Sequence, residues 1–466
     1  MPAPARIAAF QALRALATGR ADLPAALTLS RDPLQDERDR ALASDIVNGA
    51  LRWRRASDHL IVHYAGRPVA KIDADVLEIL RLSVYQLLHL DRVPASAVVD
   101  DAVDLARYAR KAHASGFVNA VLRALLRERH RLPLPPRPSS GIDRTAALEY
   151  LGITHSHPEW LVSRWLDRHG FDAAERWVRF NNETPKLTLR ANTLKTPRDP
   201  LAAALRADRI ETEPARYAPD GLVVTTGNPL RLKSDGSFSV QDEASQLVTL
   251  TMNAGPGERI LDLCASPGGK TIAMAGAMND TGVIVASDIR ARRMKLLRAT
   301  IAASGARSIR VVQVPSSGPL PFQSRFDRIL IDAPCSGLGT IRRDPDIRWR
   351  RQESDLASLA SNQLALLHRV AGLVRPGGRL VYATCSSEPE ENEAVVDAFL
   401  AAHRDFALLD LRTVAPRTPA PGTPAPPHPR TLAPFLDDRG MFRTLPFAHG
   451  LEAFFAAAIV RGTIRT

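Results

Sequence analysis

Two short stretches of the chain echo one another. LIDAPCSG (330–337) and LVYATCSS (380–387) are each an apolar, β-type run that stops on a turn of small residues holding a cysteine, Cys335 in the first and Cys385 in the second. The sequence contains only three cysteines, so two of them at strand ends is a concentrated use of a scarce residue. Thiol chemistry is thiolate chemistry. A free cysteine ionises near a pKa of ~8.5 and needs surroundings that favour the anion before it attacks carbon. Cysteine is also a small hydrophobe that fills cores. One cysteine at a strand end would leave packing as the better reading; two delivered to the same rim point to a nucleophile and a helper.

Whether the thiols share a rim depends on the elements that carry them. Beyond Gly257 the pattern alternates strand and helix to about residue 405, which predicts a doubly wound α/β sheet. RILDLCASPGGKTIAMAGAM (259–278) reads as strand, glycine turn and helix. Ligands of such sheets bind at the carboxyl ends of strands. Gly268 and Gly269 allow close approach to the backbone, and the helix start offers free N–H donors. The next strand, VIVASD, ends on Asp288, about 20 residues after the glycine turn, the spacing of an acid that binds ribose hydroxyls. Asp288 is equally suited to cap the following helix. FDRILIDAPCSG then brings Asp332 and Cys335 to the rim, and GRLVYATCSS brings Cys385. Cys264, inside the glycine turn, reads as a packing residue or a backbone contact with a cofactor.

The remainder of the chain divides by pattern. Residues 1–132 are helical, with Leu77, Leu80, Val84 and Leu87 at helical spacing and arginine groups (Arg52, Arg54, Arg55; Arg107, Arg110, Lys111) on polar faces. A proline-rich linker covers 133–154, a small α+β subdomain 155–255, and the α/β domain 256–466. The last carries a second proline-rich insertion at 415–434, read as an extended or disordered loop, and GLEAFFAAAIVR closes it as a returning strand. A net charge of +12 and a pI near 10.1 favour a polyanionic partner, nucleic acid first. Three cysteines without CxxC or cysteine–histidine spacing exclude a disulfide framework and a zinc site. No apolar run is long enough to span a membrane. The opening residues pack Ile7, Phe10, Leu13 and Leu16 on one helix face rather than forming a secretory signal. A cytoplasmic, monomeric protein is expected.

A ribose-binding acid suits either a dinucleotide or S-adenosylmethionine. CASPGGK lacks the G-x-G-x-x-G spacing of the pyrophosphate fingerprint, and hydride transfer has no general use for paired thiols. Methyl transfer to a pyrimidine carbon does. Carbon 5 of cytosine becomes a nucleophile only after a thiolate adds to carbon 6; after methylation the carbon 5 proton leaves and the thiol is expelled. A carboxyl group near N3, here Asp332, assists the addition.

LDLCASPGGKT, DAPCSGLGTIRRDPDIRW and YATCSSEPEENEAVV together resemble the bacterial RNA cytosine-C5 methyltransferases, in particular the Sun/Fmu group. DRALASDIVNGALRWR and VYQLLHLDRVPASAVVDDAV resemble that group's NusB-like RNA-binding domain, and FSVQDEASQ and GLEAFFAAAIVR match as well. The resemblance implies a multidomain fold: an all-α NusB-like domain, a small α+β linker subdomain, and a C-terminal Rossmann-like methyltransferase domain. It implies methylation of small-subunit (16S) ribosomal RNA. Transfer RNA is the nearest rival substrate, and a non-catalytic assembly factor with a vestigial methyltransferase domain the rival of another class. Cys385 would be the nucleophile, Cys335 would assist product release, and Asp332 would lie near donor and base. In DNA cytosine methyltransferases it is instead the cysteine of the PC motif that attacks. Cys264, Ala265, Ser266, Pro267, Gly268, Gly269 and Lys270 would cradle S-adenosylmethionine, with Asp288 on its ribose. Arg342, Arg343, Arg348 and Trp349 suit phosphate contact and base stacking on RNA. No metal is expected. One departure stands out: RVVQVPSSGPLP places Val314 and Pro315 where the family usually carries an acid for the adenine side of the cofactor.

Overall fold

The computed structural model describes residues 1–139, 143–232, 235–414 and 429–463. Most of the proline-rich insertion, 415–428, lies outside the described residues; its end enters a 3-10 segment, Pro429–Phe435. The chain forms two compact units. The first comprises Met1–Glu183 together with Ile341–Arg351, and the second Thr184–Thr340 with Gln352–Thr466.

The first unit is all helix. Aspartates at helix starts set several of its boundaries: Asp22 accepts from the Ala25 N–H, and Asp73 accepts from the N–H groups of Asp75 and Val76. The helix Ala74–His89 is buried on every face from Val76 to Gln86, so it forms the axis of the bundle. Ile46, Leu60, Val99, Val118 and Leu122 pack in the same core. Leu77, Leu80 and Val84 are buried as their spacing predicts. The helices Glu159–His169 and Phe171–Asn182, read from sequence as part of the α+β subdomain, keep their contacts with this unit.

The second unit contains two sheets. Strands β1 (Thr188–Ala191), β2 (Glu211–Pro214), β3 (Gly221–Thr226) and β4 (Phe238–Val240) pair antiparallel in the order β2-β3-β1-β4. The helix Arg198–Ala207 covers them through Leu201 and Leu205. The larger sheet contains β5 (Arg259–Asp262), β6 (Val283–Asp288), β7 (Ile309–Gln313), β8 (Phe326–Asp332), β9 (Val374–Thr384), β10 (Phe406–Leu408), β11 (Phe442–Arg443) and β12 (Phe455–Arg461). Its main order is β10-β12-β9-β8-β5-β6-β7, and β11 pairs with β12. Strands β5 to β9 run parallel. From β5 the chain winds outward to β6 and β7, then crosses back to β8 and β9 on the other side. The order reverses between β5 and β8, and that reversal opens a crevice at their carboxyl ends. The closing segment returns as β12, antiparallel to β9 with Phe455 opposite Thr384.

Candidate active site

The two thiols meet. Strands β8 and β9 are parallel neighbours with Asp332 opposite Ala383, and the Ala333 N–H donates to the Ala383 carbonyl at 2.8 Å. Each strand then ends in its cysteine turn, and the Cys335 and Cys385 sulfurs lie 3.2 Å apart. One residue on, Ser336 Oγ and Ser386 Oγ lie 3.1 Å apart. The repeated Cys-Ser dipeptide is therefore a stacked pair, sulfur against sulfur and hydroxyl against hydroxyl. Gly339 donates to the Cys385 carbonyl at 2.9 Å, and a Cβ there would sit 1.9 Å from the Ala453 carbonyl oxygen, so only glycine closes this turn. The hydrogen bond to Cys385, then desolvation, then the charges of Cys385 and Glu391 push the Cys335 thiol well up. Cys335 is thus the protonated partner of the pair.

Lys270 and Asp332 flank the thiols. Lys270, at the start of the helix Gly269–Ala277, donates from Nζ to Asp332 Oδ2 at 2.7 Å, and Nζ lies 5.8 Å from the centre of the Phe454 ring. Burial works to lower the Lys270 pKa, but the charge and hydrogen bond of Asp332, followed by the charge of Cys385, outweigh it and raise it. The ammonium therefore stays charged beside the Asp332 carboxylate.

The carboxyl ends of β5 and β6 present two buried acids. Asp288 is 4% exposed; its Oδ1 accepts from the N–H groups of Ile289 and Arg290, while Oδ2 has no hydrogen-bond partner and lies 3.8 Å from Arg293 Nη1. Asp288 thus holds the local turn with one oxygen, while the other makes only the longer ion pair with Arg293. Asp262 is 1% exposed; its Oδ2 accepts from Thr271 Oγ1 at 2.7 Å, and its Oδ1 has no hydrogen-bond partner. Gly268 has φ +110°, and a Cβ there would lie 3.0 Å from Leu297 Cδ1. Around it the Ala265 N–H donates to the Ser287 carbonyl and Ser266 Oγ to the Arg293 carbonyl. Cys264 packs against the core beneath, and burial pushes its thiol up. At the end of β7, Val314 is 3% exposed and donates to the Asp288 carbonyl, so no carboxylate occupies that position.

Burial, partly offset by Thr271 and reinforced by Asp332, raises the Asp262 carboxyl to about 7. The folded chain then keeps a proton that the unfolded chain has already released, so this group costs stability as pH rises from ~4 to ~7. Asp262→Asn should remove that slope and stabilise the ligand-free protein at pH 8 by on the order of 2–4 kcal/mol. Urea unfolding at pH 5 and 8 measures it; a parent with equal stability at both would show Asp262 ionised throughout.

Residues 249–460 match the 16S rRNA methyltransferase RsmB/F family, residues 3–127 the NusB family, and residues 157–231 the ferredoxin-like domain of RsmF/B-like methyltransferases. A probable ribosomal RNA small subunit methyltransferase B from Bacillus subtilis is 33% identical over 434 residues, 91% of each chain. The chain belongs to the RsmB/F family. The ribosomal RNA small subunit methyltransferase B of Pseudomonas putida is 36% identical over 88% of this chain and 92% of its own. The solved structure of PH0851 is 25% identical, covers 98% of this chain and 99% of its own, and has a TM-score of 0.76. A methyltransferase homolog protein from Pyrococcus horikoshii is 26% identical, covers 69% and 100%, and has a TM-score of 0.56.

Against this RsmB/F framework the expected RNA contacts need correction. Arg348 is fully buried in the first unit. Its Nη1 donates to the carbonyls of Ser156 at 3.0 Å and Arg52 at 3.3 Å and to Asn182 Oδ1 at 3.0 Å, and its Nη2 donates to the Asn181 carbonyl at 3.2 Å. Trp349 Nε1 donates to the Leu51 carbonyl at 2.6 Å. Burial keeps Arg348 from RNA, and Trp349 is half-buried with its ring packed against the core of the first unit. Arg342 lies 3.9 Å over the Phe180 ring, with Glu183 also 3.9 Å away, and Arg343 is half-buried. The sequence reading missed Asp262, masked inside an apolar strand, and Ser336, Ser386 and Glu391. The doubled Cys-Ser was the available signal for the serines. Among the described residues no cluster of histidine, cysteine or carboxylate side chains forms a metal site, and no helix is long and apolar enough to cross a membrane.

Proposed function

We propose that this RsmB/F-family RNA methyltransferase methylates carbon 5 of a cytosine in 16S ribosomal RNA through a transient covalent bond to Cys385. The observation that carries the reading is the 3.2 Å thiol pair set beside the Lys270–Asp332 ion pair. S-adenosylmethionine, the cofactor, supplies an electrophilic methyl group. The residues present fit it: two buried carboxylate oxygens without donors, Asp262 Oδ1 and Asp288 Oδ2, call for a ligand carrying hydroxyls and positive charge, and the glycine turn admits it to the backbone.

The remaining roles belong to the chain's own side chains. The Cys385 thiolate adds to carbon 6 of the cytosine, forming an S–C bond, while Asp332 shares a proton with N3 and spreads the charge that develops on the ring. Lys270 keeps Asp332 in place through their 2.7 Å ion pair. After carbon 5 has taken the methyl group its proton passes to water acting as base, the C5–H electron pair restores the C5–C6 double bond, the S–C6 bond breaks, and its electron pair returns to Cys385. Cys335, holding a proton 3.2 Å away, is placed to protonate that leaving thiolate. Small-subunit ribosomal RNA is favoured over transfer RNA by the names of the relatives. The intact thiol geometry counts against a vestigial domain.

The test supplies methyl-labelled S-adenosylmethionine with 16S RNA, assembling small subunits or transfer RNA, and digests the product to nucleosides. Label in 5-methylcytidine from ribosomal RNA is expected. Label on a base nitrogen or a ribose oxygen would sink the carbon 5 assignment, and label confined to transfer RNA would sink the substrate.

A further inference from the structure

A carboxylate the reaction does not use lies behind the two cysteine turns. Glu391 ends the 3-10 turn Pro389–Glu391 that follows β9, and it is fully buried. Its Oε1 accepts from the Ser336 N–H at 2.8 Å and from Gln363 Nε2 at 2.9 Å. Its Oε2 accepts from Ser386 Oγ at 2.5 Å. With the Ser386 proton spent on Glu391, the contact between the serine hydroxyls is made by the Ser336 proton. The carboxylate therefore holds the residue that follows each cysteine. Gln363 extends the brace, its Nε2 donating to the Pro334 carbonyl at 3.1 Å. The Tyr382 hydroxyl closes it, 2.9 Å from Gln363 Oε1 and 2.5 Å from the Glu391 carbonyl.

All three donors to the carboxylate are neutral, so its negative charge is not cancelled locally. Burying a charge this way is costly, and a neutral amide could make similar struts. What the charge adds is its field: behind the larger effects of the Cys385 hydrogen bond and desolvation, Glu391 helps raise the Cys335 thiol. The Tyr382 hydroxyl is pushed up by burial and then by Cys335 and Glu391. Glu388, three residues after Cys385, is equally buried and accepts from Ser387 Oγ at 2.8 Å.

We propose that Glu391 is a positioning residue for the thiol pair: through the Ser336 N–H on one cysteine turn and the Ser386 hydroxyl on the other it clamps the two turns in register, and its buried charge helps keep a proton on Cys335. This rests on the two-thiol reaction above. It adds what that reaction leaves open, what holds the two thiols in register and a proton on Cys335.

The test is alkylation of the ligand-free enzyme by iodoacetamide across pH, with each cysteine read separately by peptide mass spectrometry, in the parent, Glu391→Gln and Ser386→Ala. In the parent, Cys385 should react at lower pH than Cys335. Glu391→Gln keeps the shape and removes the charge; the Cys335-to-Cys385 alkylation ratio at neutral pH should rise about tenfold and kcat should fall, with KM for S-adenosylmethionine unchanged. Ser386→Ala removes one strut and keeps the charge, so kcat should fall while the ratio holds. A folded Glu391→Gln enzyme with parental ratio and kcat would overturn the proposal. If that variant does not fold, Ser386→Ala decides, and an unchanged kcat overturns the clamp. Alkylation needs no RNA, so these outcomes are separate from failure of the methylation reading, which would appear as no 5-methylcytidine from the parent enzyme.

Discussion

Cys335→Ala enzyme incubated with 16S RNA and S-adenosylmethionine is expected to hold the RNA in a complex that survives denaturing electrophoresis, and Cys385→Ala enzyme is not. Methyl transfer by Cys385→Ala should fall by at least about 10⁴-fold, the scale on which removal of a covalent nucleophile is felt. The asymmetry follows from what surrounds each sulfur. The hydrogen bond to Cys385, desolvation and the nearby Glu391 carboxylate keep Cys335 protonated, which leaves Cys385 to attack. Without Cys335, attack and methylation proceed but the leaving thiolate has lost its proton source, so the adduct accumulates. Trapping by Cys385→Ala alone would reverse the roles. Retention of methyl transfer by both single variants would remove covalent catalysis from the reaction.

Arg348→Ala should destabilise the protein by at least about 3 kcal/mol. The guanidinium is wholly buried, and its hydrogen-bond partners are the carbonyls of Arg52, Ser156 and Asn181 and the Asn182 side chain. Burial, and then the charge of Arg52, push its pKa well down, so it is not held as half of an ion pair. It is held as a planar set of donors. Deleting it leaves three buried carbonyls and the half-buried Asn182 Oδ1 without this donor, and a cavity where the side chain lay. Relief of the buried charge offsets part of that loss. Arg348→Lys should rescue little, because one ammonium cannot span acceptors arrayed around two guanidinium nitrogens. Urea unfolding of the full chain measures both, and a loss under about 1 kcal/mol for Arg348→Ala would show that the cage closes without its guest.

Much of the catalytic half was legible because its signals are local. Apolar runs ending on glycine or small-residue turns located the strand ends, and the distance from the glycine turn led to Asp288, a buried acid at the end of β6. The doubled Cys-Ser located the thiols, since adjacent parallel strands carry equal offsets to one place. Glu391 was not legible: in EPEENE a run of acids reads as a solvated surface, and nothing local says that Glu388 and Glu391 turn inward, the latter to meet Ser336 and Ser386. Arg348 and Trp349 were misread for the same reason in reverse. Arginine beside tryptophan in a basic protein suggests RNA, and the carbonyls that claim them belong to residues more than a hundred positions away. The small antiparallel sheet was anticipated, yet the helices preceding it keep company with the N-terminal bundle, a division that depends on contacts rather than composition.

The membership of Ile341–Arg351 in the first unit bears on the order in which the protein can be assembled. A ribosome that has released residues 1–183 has not yet made the arginine that the carbonyls of Ser156 and Asn181 await. By the time that segment emerges, strands β5 to β8 and Cys335 have been made as well. The N-terminal unit is therefore finished late, after much of the methyltransferase sheet, and not as an independent first domain. A fragment ending at residue 183 should behave as an incomplete bundle, and supplying residues 341–351 as a separate peptide should be what completes it.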